Sequence, residues 1–231
     1  MESRANLLVR RLTDAETGDC VFNPWRQVDV EHEAGEEGPA VRRRQLAHYL
    51  ATRLGRARWL LVGEALGYQG GHFTGMAMTS ERILLGHLRG RGVDPGDVLP
   101  NLQPTRTSRP DLKLKGFSEP TATIVWGAIK GFGFDPRAFV LWNAFPWHPF
   151  KPDAGLLSNR RPTRSELEQG VPLLEGMLNL LGDVEILAVG RVAADLLDRL
   201  GLSHGSMRHP ARGGAPAFRA ELARLDGSGP T

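Results

Sequence analysis

Apolar residues along this chain fall into short blocks separated by polar turns, and the blocks alternate between two periods. Leu46, Tyr49, Leu50 and Leu54 recur at helical spacing and predict a helix over 41–54. The run Arg58-Trp59-Leu60-Leu61-Val62-Gly63 is continuous and ends in glycine, the pattern of a buried strand. A helix is expected over 79–88, capped by Thr79 or Ser80, and a weak strand over 98–102. Ser118-Glu119-Pro120 opens the next helix, with serine suited to the cap and proline to the first turn. Its apolar positions are Ile124, Val125, Ala128 and Ile129. Phe139 to Trp142 reads as a third strand. Thr163-Arg164-Ser165-Glu166 is a capping box that starts a helix running through Leu181. Glu185-Ile186-Leu187-Ala188-Val189-Gly190 is a fourth strand, followed at once by a helix over 192–200.

Strands alternating with helices predict an α/β fold, a four-stranded parallel sheet with helices on both faces in three layers. Crossovers are expected to be right-handed. No internal repeat interrupts the pattern. One domain is expected over 1–225. Its first 40 residues read as a loosely structured extension, because 23–39 is polar, acidic and glycine-containing. The tail over 226–231 is expected to be disordered.

Composition narrows the class. The 231 residues are 41% hydrophobic and 24% charged, an ordinary profile for a domain with a real core. No apolar run approaches the roughly 20 residues that span a bilayer, and Met1-Glu2-Ser3-Arg4 has no signal-peptide core behind it. A single cysteine, Cys20, excludes an internal disulfide and a four-cysteine zinc or iron–sulfur site. The expected compartment is a reducing cytoplasm, with no metal, no cofactor and no membrane partner, and the expected state is a monomer.

Net charge is only +3, but its distribution is uneven. Residues 29–37 hold five acids and no Lys or Arg. Arg106, Arg109, Lys113 and Lys115 surround one acid, Asp111. Arg160, Arg161 and Arg164 form a second basic cluster, Arg208 and Arg212 a third. Such patches suit a phosphate-binding face or three solvated loops, and charge alone leaves both readings open.

Three segments carry candidate chemistry: Gly63-Glu64-Ala65-Leu66-Gly67, Trp142-Asn143 and Met207-Arg208-His209-Pro210. Each stands at a strand end or an adjoining loop, where ligands bind in open parallel sheets. Together they bring a carboxylate, an amide and an imidazole to one pocket, suited to a planar polar ring and holding no metal-ligand set.

These residues resemble the uracil-DNA glycosylase superfamily, nearest its family-4-like branch, over about 59–218. Gly63-Glu64-Ala65-Leu66-Gly67 is similar to the branch's Gly-Glu-Ala-Pro-Gly motif, and His72-Phe73-Thr74-Gly75 to the Pro-Phe-Val-Gly that follows it. Asn143 matches the family's strand-end Asn. Asn159-Arg160-Arg161-Pro162-Thr163 with Glu166 resembles Asn-Arg-x-Pro-Thr-x-x-Glu, and His209-Pro210-Ala211 resembles His-Pro-Ser. Three departures stand out. Leu66 replaces the motif proline, the four cluster cysteines are missing, and Ala65 stands where the best-known members carry a water-positioning Asp.

The resemblance implies DNA as partner and residue roles in base release. Asn143 would read the N3–H and O4 edge of a flipped uracil. His209 would donate to O2 as negative charge builds there. Phe73 would stack on the base, or else is a core side chain under its loop. Glu64 would position water or steady the sugar cation, or else only brace the glycine loop. Gly63, Ala65 and Gly67 would line the pocket, and Gly67, where classical members carry a methyl-blocking Tyr, would leave room. Arg106, Arg109, Ser118, Arg160 and Arg212 would contact DNA, while Trp147, His148 and Phe150 are better read as core. The function expected is a monofunctional DNA repair glycosylase acting on a damaged base, uracil foremost. The alternatives are a weakly active or inactive binder of damaged DNA, and a small-molecule nucleoside or nucleotide hydrolase.

Overall fold

A computed structural model describes residues 3–225; the tail expected to be disordered lies outside them. In chain order the elements are α1 (Arg4–Asp14), β1 (Val21–Phe22), α2 (Gly38–Ala51), β2 (Trp59–Ala65), α3 (Gly71–Thr74), α4 (Glu81–Leu84), α5 (Pro95–Val98) and α6 (Pro120–Gly131). They continue with β3 (Phe139–Phe145), β4 (His148–Pro149), α7 (Arg164–Leu181), β5 (Glu185–Val189), α8 (Arg191–Arg199), β6 (Gly205–Met207) and α9 (Ala215–Leu222). The main sheet has four parallel strands in the order β3-β2-β5-β6. Helices flank it: α7 packs on β3, α8 on β5 and β2, and α9 on β6. All of β3 and the first five residues of β2 are buried, which is why both read as unbroken apolar runs. The Thr163–Glu166 capping box forms as the sequence implies, each side chain holding the other's backbone N–H.

Two expected elements are different. Residues 98–102 are no strand. Asp94 and Asp97 form a capping box around Pro95, which starts the one-turn α5. The carbonyls of Asp97 and Val98 then accept from the buried Arg53 guanidinium, which also holds the Phe139 carbonyl at the start of β3. The fourth strand is instead β6, a three-residue edge strand. The helix expected over 79–88 stops after one turn at Leu84, because Gly86 sits at φ 79°. The carboxylate of Glu81 in that turn reaches the backbone N–H groups of Thr107 and Ser108, at 2.8 and 3.0 Å, and also binds the Ser108 hydroxyl.

The N-terminal 40 residues depart most from expectation. α1 starts at a Ser3 cap and buries Ala5, Leu8, Val9 and Leu12 against α2 and α7. β1 pairs with β4, and the Trp147 indole donates to the Leu12 carbonyl at 3.2 Å. The acidic stretch is partly internal. Glu33 pairs with the buried Arg42 at 2.7 Å, and Asp29 is buried against His72 and His32, both at 2.9 Å. Polarity suggests a solvated loop; in fact Glu33 faces an arginine and Asp29 two histidines inside the fold.

Candidate active site

The chain leaves β2 toward β3 on one side and returns past it to β5 and β6 on the other. The connections around β2 and β5 therefore part in opposite directions and open a crevice at the C-terminal strand ends. Gly63 stands two residues before the end of β2, and Gly190 directly follows β5. Gly63 pairs in register with Asn143 of β3, and Asn143 Oδ1 lies 2.7 Å from where a Cβ of residue 63 would be. Only glycine there lets the amide lean across β2. Asn143 is 3% exposed, and no hydrogen bond from the described residues engages its amide.

From the opposite edge His209 leans over the end of β5. A Cβ on Gly190, which sits at φ 90°, would lie 3.1 Å from His209 Cβ. The Ala211 N–H donates to His209 Nδ1 at 3.1 Å, so the neutral ring carries its hydrogen on Nε2. Burial, with help from the Arg208 charge, lowers the His209 pKa and keeps the ring neutral. Asn143 lies against β2 and His209 against the end of β5, and these two strands are neighbours about 4.8 Å apart.

Glu64 and Ala65 close β2 between them, both half-buried. The Glu64 carboxylate makes no hydrogen bond to the glycine loop that follows, so it does not brace that loop. Burial raises its pKa, and Arg161 opposes the rise. Beyond it, the space beside Gly67 is bordered by a second carboxyl. The Glu119 carboxyl, from the residue before α6, comes within 3.7 Å of a Cβ placed on Gly67. Among the described residues no group of His, Cys, Asp and Glu is arranged to hold a metal ion.

Sequence comparison matches residues 52–223, most of the chain, to the Uracil DNA glycosylase superfamily. The chain belongs to that superfamily. A search of curated proteins returns no match. Among solved structures the chain is similar to "The crystal structure of WT Pedobacter heparinus SMUG2", with a TM-score of 0.64 over 99% of this chain and 98% of that one. Identity is 11%, so this likeness bears on the fold.

Within this superfamily member the other expected site residues are distributed unevenly. Phe73, on α3, is 1% exposed; one ring face stacks on Phe117 at 4.1 Å and His72 meets it edge-on at 4.5 Å. Behind it runs a buried polar chain. His148 Nε2 donates to the Ser158 carbonyl at 2.7 Å, His148 Nδ1 faces His72 Nδ1 at 3.0 Å, and His72 Nε2 faces Asp29 at 2.9 Å. Burial and then the His72 charge hold His148 down at about 3, so its Nδ1 accepts from His72. His72 thus bridges His148 and the buried Asp29 carboxyl. The acidic segment thus anchors the loop that carries Phe73, a link across 43 residues that no local pattern announces.

The basic residues sort by what engages them. Arg106 donates to the carbonyls of Ser108, Arg109, Lys113 and Leu114 and ties its own loop together. Arg109 pairs with Asp111 at 2.6 Å, and Arg160 with Glu166 at 2.6 Å and the Cys20 carbonyl at 3.1 Å. Arg161 and Arg212 are exposed and unpaired. Arg161 reaches the crevice by its charge on Glu64, and Arg212 follows His209 in a left-handed conformation, φ 51°. Ser118 is half-buried and does not cap α6; Glu119 occupies the cap position and does not cap it either. Sequence reasoning assigned no site role to Gly190, Asn159, Arg161 or Glu119. Asn159 and Arg161 had a signal in the Asn-Arg-x-Pro-Thr-like stretch and Gly190 in its place at the end of an apolar run, whereas the position of Glu119 had none.

Proposed function

We propose that this protein is a monofunctional DNA glycosylase that extrudes a damaged base, uracil foremost, and hydrolyses its N-glycosidic bond. The observation that carries the reading is the buried Asn143 amide without a protein partner, held at the sheet crevice opposite a neutral His209. Asn143 is only 3% exposed, yet its amide is not sealed from solvent and has no partner within the described residues. The amide is matched to a ligand that brings a donor beside an acceptor, as the N3–H and O4 edge of uracil does.

Glycosidic cleavage leaves negative charge on the departing base and positive charge on the sugar. His209 Nε2–H donates to the base oxygen where the first develops, and Glu64 faces the second or the attacking water. Water adds to the sugar carbon, the base leaves as an anion and is protonated afterwards. None of these residues is a lysine, so no Schiff base forms. Phe73, 1% exposed and stacked on Phe117, supplies a rigid wall behind the pocket and no open stacking face. Ala65, which brings no carboxylate, is the feature that favours the rival reading of a damaged-DNA binder with little turnover.

DNA contact falls to Arg161 and Arg212, with Ser118 and the loops of Arg106, Arg109 and Arg160 shaping the face. Binding to duplex DNA should weaken steeply with salt, with a log–log slope of about −0.9 for each phosphate contact. Arg161→Ala and Arg212→Ala should each reduce that slope by about one contact. Arg160→Ala should instead lower thermal stability, because its guanidinium is an internal tie. A binding constant indifferent to salt between low and physiological strength would favour the small-molecule hydrolase. The protein is read as acting as a monomer.

A further inference from the structure

One carboxyl near the crevice is buried with nothing to pair it. Glu119 Oε2 is shut off from solvent and makes no hydrogen bond, and no ion pair among the described residues includes Glu119. The side chain turns away from its own helix and into the glycine loop after β2. A Cβ on Gly70 would stand 1.8 Å from Oε2, so only glycine at that position admits the carboxyl. At Gly67 a Cβ would meet Glu119 Oε1 at 3.7 Å and Asn159 Nδ2 at 3.8 Å. The Asn159 amide is oriented by the Tyr68 N–H, which donates to its Oδ1 at 3.1 Å. Oε2 is thus seated against Gly70, while the other oxygen of the same carboxyl, Oε1, and the Asn159 amide N–H flank the space beside Gly67.

Burial is the one cause acting on the Glu119 carboxyl and pushes its pKa up to about 7. Glu64 and Tyr68 at the strand end and loop, Glu81 on α4, and Arg160 and Arg161 beside Asn159 do not move it. Leaving a buried polar group unpaired costs stability. Perturbed, unpaired carboxyls of this kind concentrate at functional sites. A neutral carboxylic acid offers an O–H donor beside a carbonyl acceptor.

We propose that Glu119, with Asn159 across Gly67, is a specificity-determining residue of the base pocket, donating its carboxylic O–H to an acceptor atom, carbonyl oxygen or ring nitrogen, on the edge of the extruded base. The proposal rests on the base-excision reading above. Ionised, the same carboxyl has no hydrogen to give and repels a base carbonyl, so the contact is present below about pH 7 and lost above it.

The test is single-turnover release of uracil and of hypoxanthine from oligonucleotides by wild type, Glu119→Gln and Glu119→Ala, between about pH 5.5 and about pH 8.5, with binding to undamaged duplex measured alongside. Wild-type release should fall above about pH 7. Glu119→Gln keeps a donor and should lose that fall, exceeding wild type at about pH 8. Glu119→Ala should be slower by about tenfold at low pH and should change the uracil-to-hypoxanthine ratio, with duplex binding within about twofold. If Glu119→Ala folds poorly, the Glu119→Gln profile decides alone. Rates and base ratio within about twofold of wild type in both variants at every pH would overturn the role of Glu119 and leave base excision standing. A wild type that releases neither base and binds modified and plain DNA alike would overturn both.

Discussion

His209→Ala is expected to lower single-turnover base release by about 10²- to 10³-fold while leaving affinity for lesion-bearing DNA within about twofold. The size follows from removing one preorganised donor aimed at charge that exists only in the transition state. The ring is prepared for that work before substrate arrives. The Ala211 N–H fixes Nδ1 as the acceptor, burial keeps the ring neutral, and Gly190 makes room for it over β5. Stopped or quenched single-turnover kinetics, with binding measured separately, separate a rate effect from an affinity effect. Glu64→Gln belongs in the same experiment. It should slow release if Glu64 handles water or the sugar cation; its lack of any hydrogen bond to the glycine loop argues against a purely bracing role. Full activity in both variants would leave the damaged-DNA binder as the better reading.

Asn143→Ala should reduce base release by more than about tenfold, roughly 1.4 kcal/mol of transition-state stabilisation, and should blunt discrimination between bases. Undamaged duplex should bind as before, since the amide lies inside the crevice and meets no phosphate. The contrast with a stability defect is available from Gly63→Ala, which keeps the amide but puts a methyl 2.7 Å from its Oδ1. If Asn143 reads the base, displacing its amide and deleting it should impair the same step. A loss under tenfold in Asn143→Ala would mean that the amide does not read the base.

The parts of this site that were legible from sequence carry a local signal, an apolar run or a turn-marking proline. Gly63, Glu64 and Asn143 lie in the last three residues of strands whose burial leaves a continuous hydrophobic signature, and His209 stands just beyond β6, in a loop whose proline marks a turn. The capping box at Thr163 was readable because both partners lie within one turn. The parts that were not legible depend on contacts between distant residues. β6 is a three-residue edge strand with glycine and serine, too short and polar to carry a period. Residues 98–102 are apolar enough for a strand, but the turn at Pro95 and the demands of Arg53 are stronger. Gly67 does leave space, and that space is bordered by Glu119, 52 positions along the chain. Charge counts could not tell Arg106 and Arg160, engaged by carbonyls and Glu166, from Arg161 and Arg212, which face solvent.

The most direct test is base release by the purified wild-type protein from oligonucleotides carrying uracil, hypoxanthine, xanthine or a thymine mismatch, with alkali used to cleave at abasic sites. The expected result is alkali-dependent strand cleavage at one or more of these positions, uracil foremost, with no cleavage before alkali and none at the same positions with His209→Ala in equal time. Intact strands on every substrate, from a folded protein that binds them, would contradict the glycosylase reading.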